Sequence, residues 1–194
     1  MSTQQSSRFR KPALVTGNSV CLRNARVDDA EFILKLRTDE RKAKHLSYTP
    51  SDLDKQVDWL KRYEASSDQV YFIICDMEGH RLGTVRLYDQ RGDSFCWGSW
   101  ILKDEAPKSS AIESALLVYQ FALALGFQRS HFDVRKLNQS VWKFHERFGA
   151  VRIGETELDY LYTISKAEIL ASLGRYRKYL PGQVRVVYEQ QMPA

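Results

Sequence analysis

Three consecutive runs, VYFIICD, RLGTVRLYD and SFCWGSWIL, fill most of residues 70 to 102, and only DMEGH and QRGD interrupt them. β-Branched and aromatic residues at this density, punctuated by glycine-containing turns, commit the stretch to a three-stranded antiparallel meander. A sheet must bury its apolar face, so the flanking sequence has to supply a covering layer. It does so at helical period. In VDDAEFILKLRTDERKA, Phe32, Ile33 and Leu36 share a face, and Asp28 or Asp29 is the expected cap. In SYTPSDLDKQVDWLKRYEAS, Leu53, Val57 and Leu60 form a stripe, with Ser51 after Pro50 as the expected cap.

Beyond the meander, APKSSAIESALLVYQFALALGF repeats Ile112, Ala115, Leu116, Tyr119, Ala122 and Leu123 at helical spacing. Ser110 and Glu113 read as a capping box and Gly126 as the stop. SHFDV, RIGETEL and DYLYTIS read as strands, as does SVCLRNA (19 to 25), and KAEILASLGRYRKYL reads as a last helix. The order predicts an α/β (α+β) single domain: a central mixed, mostly antiparallel sheet of about 6–7 strands flanked by helices. We divide the chain into a loose, basic N-terminal tail (1–14), a folded domain (15–168) and a C-terminal extension of helix plus tail (169–194). VRVVYE in that extension has strand character and leans towards docking; a clasp on the domain, a dimer contact and a free tail stay open, and so does a homodimer.

Length and composition suit this layout. The chain has 194 residues, with hydrophobic content of 43% and charged content of 27%, enough for one sizeable core. No apolar run approaches the ~18 residues of a membrane span, and the polar, basic start lacks a signal peptide's apolar stretch. Cys21, Cys75 and Cys96 show no disulfide or zinc spacing, so a reducing, cytoplasmic setting is expected. No metal is expected: His80 and His131 lack ligand partners at suitable spacing. The net charge of +5 favours an anionic ligand. Much of the excess sits in RFRK and RYRK near the two ends, which argues against nucleic acid as the partner.

The segment NQSVWKFHERFGA (138–150) poses the sharpest question. Asn138 is a good N-cap residue and Gly149 a natural helix stop. Val141, Phe144, His145 and Phe148 then lie on one stripe facing the sheet, while Lys143, Glu146 and Arg147 point away. His145 therefore either satisfies its ring nitrogens on a backbone carbonyl or water, or uses them.

The succession of meander, serine-started helix, short strand and Asn-x-x-Val-x-x-Phe-His-Glu-Arg-Phe-Gly resembles the GNAT (Gcn5-related N-acetyltransferase) family over about residues 19 to 168. The resemblance implies acetyl-CoA as co-substrate and a small-molecule amine as acceptor. It puts His145 where the family commonly has a tyrosine that protonates the departing thiolate, so His145 is the catalytic candidate. The family's glycine-rich pyrophosphate loop corresponds to Lys108, Ser109, Ser110 and Ala111, which contain no glycine. A helix start still offers free N–H groups and partial positive charge, and Lys108 adds a full one. The resemblance also implies that SFCWGSWIL bulges and splays from SHFDV, with the cofactor's arm near Ile101 and Leu102 and further contacts at Asn138 and Lys143. The glutamate that many relatives use as base corresponds to Cys96, so no base is assigned.

An unperturbed imidazole titrates near pH ~6.5, so acid duty by His145 requires a neighbouring carboxylate, such as Glu146 or Asp133, to hold it charged; alternatively, neutral His145 accepts the amine's proton directly or through water. For the acceptor we expect Arg37, Trp59, Arg86, Tyr88 and Trp100. An arginine suits a phosphate, and a tryptophan or tyrosine suits a base or sugar face. A solvated Arg37 and purely packed Trp59 and Trp100 remain the competing readings. Residues 132–150 also look like acetyltransferases of polysaccharide-building pathways, which makes the amine of an amino-sugar nucleotide the leading acceptor. Two alternatives are an N-terminal acetyltransferase of the ribosomal-protein type, whose openings resemble LRNARVDDAEFI, and a non-catalytic module that binds CoA or a nucleotide.

Overall fold

A computed structural model of the chain describes residues 6–180 and 182–189. Among the described residues, nine strands make one sheet: β1 (Leu14–Thr16), β2 (Val20–Asn24), β3 (Val70–Asp76), β4 (Arg81–Arg91), β5 (Ser94–Leu102), β6 (Arg129–Arg135), β7 (Val151–Glu155), β8 (Asp159–Ser165) and β9 (Arg185–Val187). Their order across the sheet is β7-β8-β6-β5-β4-β3-β2-β1-β9. Only β5 and β6 run parallel; every other neighbouring pair is antiparallel. The helices are α1 (Ala30–Thr38), α2 (Glu40–Ala43), α3 (Leu53–Ala65), α4 (Ser109–Ala124), α5 (Gln139–Arg147) and α6 (Lys166–Arg175).

Two apolar layers hold the helices on. Ile33 of α1 and Leu60 and Tyr63 of α3 bury against Tyr71, Ile73 and Cys75 on one face. The other face carries the larger core, where Leu116, Val118 and Phe121 of α4 and Ile169 of α6 meet Phe72, Val85, Leu87 and Phe95. The meander forms as expected, with Gly79 and Gly92 taking left-handed φ of 91° and 65° in its two turns.

The two strands beyond the expected count are β1 and β9. Ala13 N–H donates to Val187 O at 2.8 Å, so the C-terminal extension clasps the sheet edge at β1. The loose N-terminal tail is corrected for its described part: Phe9 is buried on Phe127, and Arg8 N–H donates to Gln90 Oε1 at 2.7 Å.

Several caps differ from expectation because stronger partners compete for the same side chains. Asp29 does not cap α1; it accepts a forked bond from Arg23 at 2.7 and 2.8 Å. Asp52, not Ser51, caps α3 by accepting from Lys55 N–H at 3.1 Å. Asn138 caps α5 only through its carbonyl. His80, expected without ligating neighbours, stands with Asp76 and Glu78 on the exposed β3–β4 turn, their ligand atoms within 4.8 Å of one another.

The capping box on α4 does not form either. Glu113 is buried and reaches across to the β1–β2 turn, where its Oε1 accepts from Ser19 N–H at 2.8 Å and Val20 N–H at 3.2 Å, and also from Asn18 N–H. Its second oxygen takes the Ser19 hydroxyl. A carboxylate serving three backbone donors fixes the first hairpin to α4. Glu113→Gln keeps the shape and removes the charge, so urea denaturation should show a loss of about 1–2 kcal/mol.

Candidate active site

The cleft is built from the middle of the sheet outward. Register places Tyr71 of β3, Arg86 of β4 and Gly98 of β5 side by side on the face turned to α1 and α3. Gly98 leaves space that Tyr88 fills; a Cβ there would stand 3.1 Å from the Tyr88 hydroxyl. The Arg86 guanidinium lies 5.2 Å from the Trp59 ring centre and 4.7 Å from that of Tyr88, and its Nε donates to Gln69 Oε1 at 2.6 Å. At the end of α1, Arg37 donates to Thr49 Oγ1 at 2.7 Å, Ser47 Oγ at 3.0 Å and Ser99 Oγ at 3.2 Å. Hydroxyls, an amide and carbonyls are thus the polar partners of both guanidiniums; among the described residues neither has a carboxylate partner. Burial pulls the Arg86 pKa down from its usual value, yet a guanidinium stays charged at neutral pH. With Lys55, Arg62 and Asp58 from α3, the side chains of Arg37, Trp59, Tyr71, Arg86 and Tyr88 line a cleft of about 620 Å³.

Arg37, Trp59, Arg86 and Tyr88, picked out separately in the sequence, therefore meet in one place. Trp100 does not line it. It lies among the aromatics of the opposite face, 4.9 Å from Phe144 and 5.4 Å from Trp97 between ring centres, and donates to Ser114 Oγ at 3.2 Å. Tyr71 and Ser99 are lining residues that sequence reasoning missed.

The second feature is a bulge and a gap. The β4–β5 register slips between Thr84 and Arg86, and Ser99 takes φ of 49°. A non-glycine residue in this region is strained, and Thr84 Oγ1 holds it by donating to Ser99 O at 2.8 Å. β5 and β6 pair only through Ser94–Arg129 and Phe95–Ser130 and then diverge. Trp97 and Phe132 stand at the opening, and the His145 ring contacts both, with centre separations of 5.1 and 4.3 Å. Ile101 and Leu102 follow the bulge on β5.

His145 is on the stripe as expected, and it is buried. Its Nδ1 has no hydrogen-bond partner among the described residues, and burial drives its pKa down to about 3. The carboxylates expected to hold it charged do not reach it. Glu146 accepts from the Tyr162 hydroxyl at 2.9 Å and from Arg152 at 3.3 Å, and Asp133 is solvent-exposed. His145 is consequently a neutral imidazole at pH 7, and acid duty as an imidazolium is corrected on this ground. Cys96, at the position of the usual base, is a buried neutral thiol whose pKa burial pushes up to about 11.

The third feature is the start of α4. No side chain caps it, and its first turn carries no acidic residue. Lys108 is exposed, Ser109 and Ala111 are half-buried, and the fully buried Ser110 hydroxyl has no partner among the described residues. The Ser110 N–H donates to Pro107 O at 2.8 Å; the other first-turn N–H groups, a partial positive charge and an unspent hydroxyl at one helix end suit an anion such as a pyrophosphate. Asn138 and Lys143 lie at the start and middle of α5; Lys143 is exposed and its ammonium is 3.5 Å from Gln139 Oε1.

A bulged strand splaying from its parallel neighbour, with an uncapped helix start beside it, is the frame of an acyltransferase that draws its acyl group from coenzyme A. Comparison with known proteins agrees: an acetyltransferase (GNAT) domain model matches residues 19–151. The chain belongs to the GNAT family of acetyltransferases. The apo structure of FdhC, a nucleotide-linked sugar GNAT, is similar at 38% identity and a TM-score of 0.77, covering 85% of this chain and 97% of that one. A GCN5-related N-acetyltransferase from Brucella melitensis matches in fold at 19% identity and a TM-score of 0.71, over 90% of this chain and 89% of that one. Spermidine N-acetyltransferase from Vibrio cholerae, solved with CoA and spermine, does so at 16% identity and a TM-score of 0.71, over 78% and 98%. No curated protein matches the chain. Among the described residues, no helix is long and apolar enough to cross a membrane.

Proposed function

We propose that this acetyltransferase acts on the primary amine of an amino-sugar nucleotide. The observation that carries the reading is the pair of cleft arginines, Arg37 and Arg86, neither of which has a carboxylate in salt-bridge contact among the described residues. A half-buried guanidinium without a counter-ion costs solvation, and an acceptor's diphosphate supplies the missing charge and bidentate partners. Trp59 and Tyr88 add aromatic faces next to those cations. The same charge disfavours a polyamine, which would bring further cations to Lys55, Arg62, Arg37 and Arg86. FdhC, described as a nucleotide-linked sugar GNAT, supports the same class.

Acetyl-CoA supplies the acetyl group as a thioester. This chain's part is to hold and orient. Lys108, Ser109, Ser110 and the first N–H groups of α4 hold the pyrophosphate, and Ile101 and Leu102 offer backbone groups to the arm in the β5–β6 gap. A backbone N–H there stabilises the developing oxyanion. His145, neutral and walled in by aromatics, serves as a hydrogen-bonding group at the gap, not as a charged acid. No side chain is assigned as base, since Cys96 holds its proton.

The reading is tested by equilibrium titration with a nucleoside diphosphate sugar that lacks the amine, so that no reaction intervenes. Micromolar affinity that weakens with salt is expected. An affinity equal to that of the free sugar would remove the diphosphate from recognition.

A further inference from the structure

The floor of the cleft holds one polar group for which the protein itself provides no use. Tyr71 lies at the centre of the sheet, is 2% exposed, and lines the cleft. Its hydroxyl is buried without a hydrogen-bond partner among the described residues. The polar groups that act on it are Arg37, Thr84 and Arg86. Guanidiniums have no lone pair to offer, and the Thr84 hydroxyl, whose proton goes to Ser99 O, keeps lone pairs but does not stand in hydrogen-bond geometry with the phenol. The phenol proton therefore has no acceptor in hydrogen-bond geometry among the described residues. Burial raises its pKa, so it is un-ionised at neutral pH. Buried hydroxyls normally find partners, and one left over at the bottom of an open cleft is aimed at a ligand.

We propose that Tyr71 is a specificity-determining residue, donating its hydroxyl hydrogen to an oxygen of the acceptor, a hydroxyl group near the amine that is acetylated. This rests on the amino-sugar nucleotide reading above. The partner is an oxygen and not the amine itself, because a bond to the amine's lone pair would block its attack on the thioester. Arg37, fixed on Ser99, Thr49 and Ser47, holds the charged part of the same acceptor, so cation and phenol together set where the amine comes to rest. An acceptor without that hydroxyl leaves the phenol unpaired in the closed complex, and sites built to bond a hydroxyl discriminate strongly against the analogue lacking it.

The test uses Tyr71→Phe in the full chain, with acetyl-CoA and two acceptors: an amino-sugar nucleotide and its analogue deoxygenated beside the amine. For the variant, a 10- to 100-fold lower kcat/KM on the hydroxylated acceptor is expected, with the deoxy analogue already poor for the wild type and slowed no further. The melting temperature gives an independent readout. Removing a hydroxyl that has no partner should leave it unchanged or raise it. Equal kcat/KM on the hydroxylated acceptor in both proteins overturns the role, and so does a fall in melting temperature, which would mean that the hydroxyl is bonded within the protein. Should the wild type acetylate no amino-sugar nucleotide at all, the acceptor class is wrong and the inference goes with it. Wild-type turnover without a Tyr71 effect removes this inference alone.

Discussion

Replacing Arg86 by methionine should lower kcat/KM for a nucleotide-linked amino sugar by about 100-fold while leaving the free amino sugar nearly untouched. Methionine keeps much of the length and apolar contact with Trp59 and Tyr88 but removes the charge and the forked donors. The loss should appear mainly in KM, because the diphosphate is held equally in ground and transition states. Arg86→Lys should recover only part of it, since an ammonium cannot present the planar fork that stacks between two rings. Initial-rate measurements at fixed, saturating acetyl-CoA check this. Equal losses on both acceptors would mean that Arg86 shapes the sheet and does not read a phosphate.

The second large effect is on stability. His145 has a folded pKa of about 3, well below the ordinary histidine value. In the unfolded chain it takes up a proton as the pH falls through ~6.5, and in the folded chain it does not until far lower. The unfolded state therefore binds more protons between these limits, and stability rises with pH across the window. The contribution is fully present above the unfolded value, and going from pH 7 to pH 4 should remove about 3 kcal/mol through this residue alone. His145→Phe should flatten that limb in urea titrations, since Phe suits a site walled by Trp97, Phe132 and Phe144. A limb of unchanged steepness would mean that the ring is solvated or paired. The same argument predicts no His145 inflection in kcat/KM near pH 6.5.

How much of this was legible in the sequence follows from how local each signal is. The meander, α4 and the α5 stripe carry their pattern within a few consecutive residues, and all three form where the periodicity puts them. β1 and β9 have three residues each and pair across about 170 positions; β9 shows in the sequence only as the strand character of VRVVYE, and β1 has no pattern of its own. Caps were misjudged because a carboxylate goes to the strongest donor in three dimensions: Asp29 went to Arg23, and Glu113 to the first hairpin. Arg37, Trp59, Arg86 and Tyr88 could be picked out as charged or aromatic residues at element ends and on a strand face, and they converge. Tyr71 could not. VYFIICD reads as an unbroken core strand, and only the cleft between α1 and α3 reveals which face opens to a ligand. The neutral state of His145 was also hidden, because neighbours in sequence, Glu146 above all, turn away from it.

The most direct measurement is the rate of thiol release when the protein is mixed with acetyl-CoA and an amino-sugar nucleotide, with spermidine and the free amino sugar run in parallel. The account predicts saturable release on the nucleotide-linked acceptor, matched mole for mole by N-acetylated product, and much weaker turnover on the other two. Release at the acceptor-free rate with every sugar nucleotide, or preferential turnover of spermidine, would contradict it.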